Sequence, residues 1–125
     1  MGNLQAIRTN AAMIRTVAQE YGSFGKFVAQ WPGDDGVGLW AFLKKHGAQL
    51  GGNSGPYFLR TVGKDTFVLT NDVVAVLVAE GIVDKRPSSK KELKAAQEAF
   101  NAWKAESGRD LCEISRIVSM NSNAN

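Results

Sequence analysis

Residues 42–72 read FLKKHGAQLGGNSGPYFLRTVGKDTFVLTND. A short amphipathic segment carries Phe42 and Leu43 and ends in the basic run Lys44-Lys45-His46. A tight turn of small residues follows, Gly51-Gly52-Asn53-Ser54-Gly55, and then a second apolar segment with Tyr57, Phe58, Leu59 and Val62. A Gly63-Lys64-Asp65 loop leads to another helix start. Two short helices around a glycine-rich turn flanked by cations is the layout of a helix-hairpin-helix element. It predicts an all-α chain, a compact helical bundle built around that element.

The helical pattern extends to both sides. Leu4, Ile7, Ala11, Ile14, Ala18 and Tyr21 recur at the helical period behind a capping Asn3, with Gly22 as the stop. Ser23 caps a short helix with Phe24, Phe27, Val28 and Trp31, ended by Pro32-Gly33. Asp34-Asp35-Gly36 is a turn, and Leu39, Trp40, Phe42 and Leu43 mark the third helix. Pro56 fits the first turn of the helix after the hairpin. Thr66–Leu69 reads as a short extended piece, too isolated to build a sheet. Thr70 or Asn71 caps a valine-rich helix that ends at Gly81. Ser89-x-x-Glu92 is a capping box for a helix bearing Leu93, Ala96, Phe100 and Trp103. Asp110-x-x-Glu113 resembles one and opens the last helix. The expected organisation is one domain over residues 1–120 and a disordered polar tail from Asn121 to Asn125.

Composition narrows the function classes. The 125 residues suffice for one modest core. No apolar run approaches the ~18–20 residues that span a bilayer, and the N-terminus lacks a secretory pattern. A cytoplasmic protein is expected, nucleoid-associated if bacterial. The single cysteine, Cys112, forbids an intrachain disulfide and reads as a small buried apolar residue. With one cysteine and one histidine, His46, neither a Cys/His catalytic pair nor a zinc site of the usual ligands is expected. No metal and no cofactor are expected. The net charge of +3 says little alone; placement says more. Lys44, Lys45 and His46 precede the turn, and Arg60 and Lys64 follow it. A second run, Lys85, Arg86, Lys90, Lys91 and Lys94, reads as a solvated face at a helix start.

A backbone grip on phosphate needs N–H groups that point outward and approach closely. Side chains obstruct that, and positive φ angles are often required, so glycines dominate such turns. The following helix N-terminus adds partial positive charge. Gly51, Gly52, Asn53, Ser54 and Gly55 are the candidate amide donors, with Lys44, Lys45, Arg60 and Lys64 as cations. Contacts of this kind position a protein on DNA without reading its sequence.

The stretch LKKHGAQLGGNSGPYFLRTVG, followed by TND, resembles the 3-methyladenine DNA glycosylase I (Tag-type) proteins of the helix-hairpin-helix glycosylase superfamily. The similarity covers most of residues 3–80, and the helices from Ser88 onward resemble the C-terminal part of such proteins. The resemblance implies a base-excision enzyme acting on double-stranded DNA with an alkylated base. It would extrude the damaged nucleotide and hydrolyse its N-glycosidic bond. An alkylated purine is a cationic, good leaving group, so modest transition-state stabilisation suffices. Tyr57, on the first turn after the grip, is the base-pocket candidate. Trp31 and Trp103 could also line a pocket, while Trp40, Phe58 and Phe100 read as core aromatics.

Three departures from that family matter. Its members carry a further N-terminal helical segment that supplies much of the base pocket. The expectation is therefore a C-terminal portion of the family domain, completed by a complementing segment or a homodimer. The superfamily's usual aspartate position falls on Thr70, with Asp72 two residues later, which leaves Asp72 as the catalytic candidate. Asp65 reads as a turn residue. The zinc ligands of the family are not matched. The alternatives are a non-catalytic DNA-binding module, an inactive glycosylase fragment, or a helical interaction domain with no DNA role.

Overall fold

The computed structural model describes residues 3–122. These form seven α-helices: α1 (Asn3–Tyr21), α2 (Phe24–Gln30), α3 (Gly36–His46), α4 (Ser54–Thr61), α5 (Asn71–Ala79), α6 (Lys90–Ser107) and α7 (Leu111–Ser122). A 3-10 turn, Gly33–Asp35, runs into α3. There is no strand among the described residues, and none of their helices is long and apolar enough to cross a membrane. The chain divides into two compact units, Met1–Lys64 and Asp65–Asn125. Since α7 continues to Ser122, the expected tail is helical at Asn121, and residues 123–125 lie outside the described residues.

In the first unit α1 packs on α2, and α3 on α4. Ser23 caps α2, its Oγ accepting from Lys26 N at 3.0 Å. Gly22, at φ +94°, lets the chain reverse between α1 and α2. Leu39, Leu43 and Leu59 are fully buried, with Phe24, Phe27, Val28 and Trp40 nearly so. The expected packing face of α1 is wrong. Leu4 and Ile7 are each 64% exposed, whereas Ala6, Met13 and Val17 are buried. Those three, with Asn10 between them, form a stripe of the same 4-3-4 spacing rotated around the helix.

The second unit is organised by Thr66–Leu69, which belongs to no helix or sheet yet is buried throughout. Phe67 stacks on Phe100 of α6, centroids 4.2 Å apart and planes 4° from parallel. Buried backbone must be paired, and with no neighbouring strand side chains do it. Ser115 Oγ accepts from Val68 N at 3.4 Å. Arg86 Nη1 donates to Leu69 O at 2.7 Å, and its Nη2 to Asn71 Oδ1. Thr70 caps α5, accepting from Val73 N at 3.2 Å, so the valine-rich segment is a helix.

Asp65 is not a mere turn residue. Its two oxygens accept from Leu111 N and Cys112 N, both at 2.8 Å, while Asp110 Oδ1 accepts from Glu113 N at 2.8 Å. Two carboxylates thus satisfy the first three amides of α7. Asp110 and Glu113 make only half a capping box, because the Glu113 side chain pairs with Arg109 instead. The box of α6 is complete: Ser89 Oγ accepts from Glu92 N, and Glu92 Oε1 from Ser89 N, each at 3.1 Å. Gly108, left-handed at φ +71°, closes the same helix.

These caps give two expected outcomes. Asp65→Ala lowers the stability of the chain in urea by about 1–2 kcal/mol, the usual scale of a lost N-terminal cap. Lys104→Ala, removing only the exposed 3.8 Å pair with Asp65, changes it by no more than about 1 kcal/mol. The Glu92 carboxyl is held below its ordinary value by the Ser89 and Ser88 backbone N–H groups, then by the Ser89 side chain. Its contribution to stability is therefore present above the ordinary glutamate range and lost as pH falls through the depressed value. A carboxyl-resolved NMR titration places the Glu92 midpoint below that range, and Ser89→Ala moves it up.

Candidate nucleic-acid interface

The turn expected to grip phosphate lies in the loop between α3 and α4. Its shape follows from what the glycines permit. A Cβ at Gly47 would sit 2.8 Å from Leu43 O, and one at Gly55 would sit 2.8 Å from Leu50 O. Both contacts are with backbone, so the loop folds against α3 and α4 more closely than any other residue allows. Two loop residues are left-handed, Gly52 at φ +57° and Gln49 at φ +60°. Gly52 meets this by lacking a side chain, while Gln49, the less favoured kind, was not anticipated.

The loop is pinned from α1. Asn10 Oδ1 accepts from Ala48 N at 2.6 Å, and Asn10 Nδ2 donates to Ala48 O at 3.0 Å. The carboxamide thus pairs with both backbone groups of one residue, as a neighbouring strand would. Sequence reasoning missed Asn10. Its signal was there: a polar residue amid the apolar spacing of Ala6, Met13 and Val17.

Of the expected donors, Gly51, Gly52, Ser54 and Gly55 come together. Ser54 N donates to Gly51 O at 3.2 Å, and Ser54 opens α4 with Asn53 as its N-cap. Among the described residues, Gly51 N and Gly52 N donate to no acceptor. Gly52 and Ser54 are exposed; Gly55 and Pro56 are buried beneath them. The stem of Lys44 lies along Gly51, its Cγ 3.7 Å from where a Cβ would stand. Lys44, Lys45 and His46 are exposed at the C-terminus of α3. Tyr57, 50% exposed, stands on the first turn of α4.

Other expected cations serve the fold. Lys64 Nζ donates to Trp31 O at 2.6 Å, closing the C-terminus of α2. Arg60 is half-buried, its Nη2 shielded from solvent. Asp72 belongs to the second unit, half-buried in the first turn of α5. In that unit Trp103 lines an open cleft of about 480 Å³ with Val76, Glu80, Ile114 and Val118. Trp40 and Phe100 are core residues as expected, and Phe58 is half-buried against Phe24, centroids 6.0 Å apart. Among the described residues no group of three His, Cys, Asp or Glu side chains could hold a metal.

The chain matches no family model, no curated protein and no solved structure.

Two glycine variants separate packing from conformation. Gly55→Ala drives a methyl into the Leu50 carbonyl and costs about 1–3 kcal/mol. Gly52→Ala meets nothing within 4 Å and carries only left-handed strain, about 1–2 kcal/mol. Thermal unfolding of both variants, with Asn10→Ala as a third that frees Ala48, reads these effects.

Proposed function

We propose that this chain is a glycosylase-like DNA-repair protein that holds duplex DNA through the α3–α4 loop, used as a helix-hairpin-helix grip. Its substrate class is DNA carrying an alkylated purine such as 3-methyladenine. The observation that carries the reading is the pair of unspent amides at Gly51 and Gly52, on a loop pinned by Asn10 and flanked by the exposed ammonium groups of Lys44 and Lys45. Backbone N–H groups supply direction and lysines supply charge, and phosphate recognition uses both. The family resemblance of the same residues adds the chemistry. A flipped alkylated base leaves readily, and a carboxylate such as Asp72 would stabilise the positive charge developing on the sugar. Tyr57, exposed on the first turn of α4, would be the aromatic that meets DNA beside the grip.

The test incubates the purified chain with methylated duplex DNA, measures free 3-methyladenine, and follows binding over a salt series. The expected result is base release that is lost in Asp72→Asn, with binding that weakens steeply with salt. Lys44→Ala with Lys45→Ala reduces the slope of log K against log salt by about 2, one per phosphate contact. Binding without release makes the chain a DNA-binding module. No salt-dependent binding overturns the reading.

A further inference from the structure

Beside the loop, the first unit carries a chain of aromatic rings. Tyr21 lies against Phe27 with centroids 4.9 Å apart, Phe27 against Phe42 at 4.9 Å, and Phe42 against His46 at 4.5 Å. Phe27 is the buried hub. The others reach solvent: Tyr21 is 42% exposed, Phe42 half-buried and His46 exposed. Phe42, Lys45 and His46 share one face of α3, since residues three and four apart are neighbours on a helix. At the other end, Lys26 Cδ and Nζ lie 3.5 Å from the Cβ position of Gly22, next to Tyr21. Cations therefore stand at both ends of the rings. A side branch through Trp31 ends differently, because its Nε1 donates to Asp35 O at 2.8 Å, beside the Asp35 carboxylate.

We propose that Tyr21, Phe42 and His46 form a stacking surface for unpaired bases of DNA, with Lys26 and Lys45 taking the flanking phosphates. Flat π-faces joined to regularly spaced negative charge match this row, whereas an apolar peptide would have no use for lysines at both ends. Base–aromatic stacking tolerates any sequence, and no hydrogen-bond reader is needed. The proposal rests on the duplex reading's premise that DNA is the partner and shares one cation with it, Lys45. It places unstacked bases next to the loop that holds the paired backbone.

The experiment follows fluorescence anisotropy of labelled oligothymidylate and of a labelled duplex of equal length, using the whole chain. Tyr21→Leu with His46→Leu, folded by circular dichroism, is expected to lose about tenfold or more in oligothymidylate affinity while keeping its duplex affinity. Tyr21→Phe with His46→Tyr, which retains the rings, keeps both. Gly52→Val weakens the duplex alone. Unchanged oligothymidylate binding by the leucine variant overturns the stacking surface. So does a wild-type chain that binds duplex but not oligothymidylate, which leaves the loop reading intact. Oligothymidylate binding that depends on the rings, without duplex binding, supports the surface and overturns the loop reading. Failure to bind either removes both.

Discussion

A backbone N–H or C=O taken out of water has to be paired, and among the described residues there is no sheet to do it. Its buried and half-buried connections are paired by side chains reaching in from elsewhere. Asn10 does this for Ala48, Ser115 for Val68, Arg86 for Leu69 and Lys64 for Trp31. Asp65 does it for the first amides of α7. Leaving one such group unpaired costs roughly 1–3 kcal/mol, as much as a sizeable apolar contact contributes. The polar residues among the helices are thus a skeleton for the segments that helices cannot cover. Thr66–Leu69 shows the gain: an extended piece can fill a core and stack Phe67 on Phe100, provided its polar atoms are met.

The same constraint shapes the candidate interface. A loop that folds back on its flanking helices brings its own carbonyls close, and at Gly47 and Gly55 only a missing Cβ accommodates them. Asn10 then occupies both polar groups of Ala48. Among the described residues, Gly51 N and Gly52 N at the tip of that loop donate to no acceptor. Their availability is a consequence of how the rest of the loop is held.

Local chemistry was legible in the sequence, and long-range chemistry was not. Ser23, Ser89 and Gly22 each act within a few residues and start or stop their helices as read, and of the two caps offered for α5 Thr70 is the one used. The capping start of α5 outweighed its valines. The face of α1 was misread because two stripes share one period. Leu4, Ile7 and Ala11 are wholly apolar, whereas the stripe that packs contains Asn10. Hydrophobicity favours the first, and only the partner on Ala48 explains the second. Asp65 was misread for a related reason: the amides it accepts from lie 46 and 47 residues further along. In the loop, the glycines were legible as a group, but their division of labour was not. Gly47 and Gly55 serve close packing, Gly52 a left-handed turn, and Gln49 adopts that turn without being glycine.

Counting cations around a loop overstates an interface, because a lysine also closes helices. Lys64 is engaged by the α2 carboxyl terminus, and Arg60 is drawn inward. Lys44, Lys45 and His46 would be accounted for by the dipole of α3 alone, since positive charge is favoured at a helix C-terminus. That explanation covers their presence at the helix end and leaves the direction of each side chain open. Lys44 runs along Gly51, so its charge is carried on the same short stretch as the two unspent amides. An anion bound by those amides would find the ammonium already alongside.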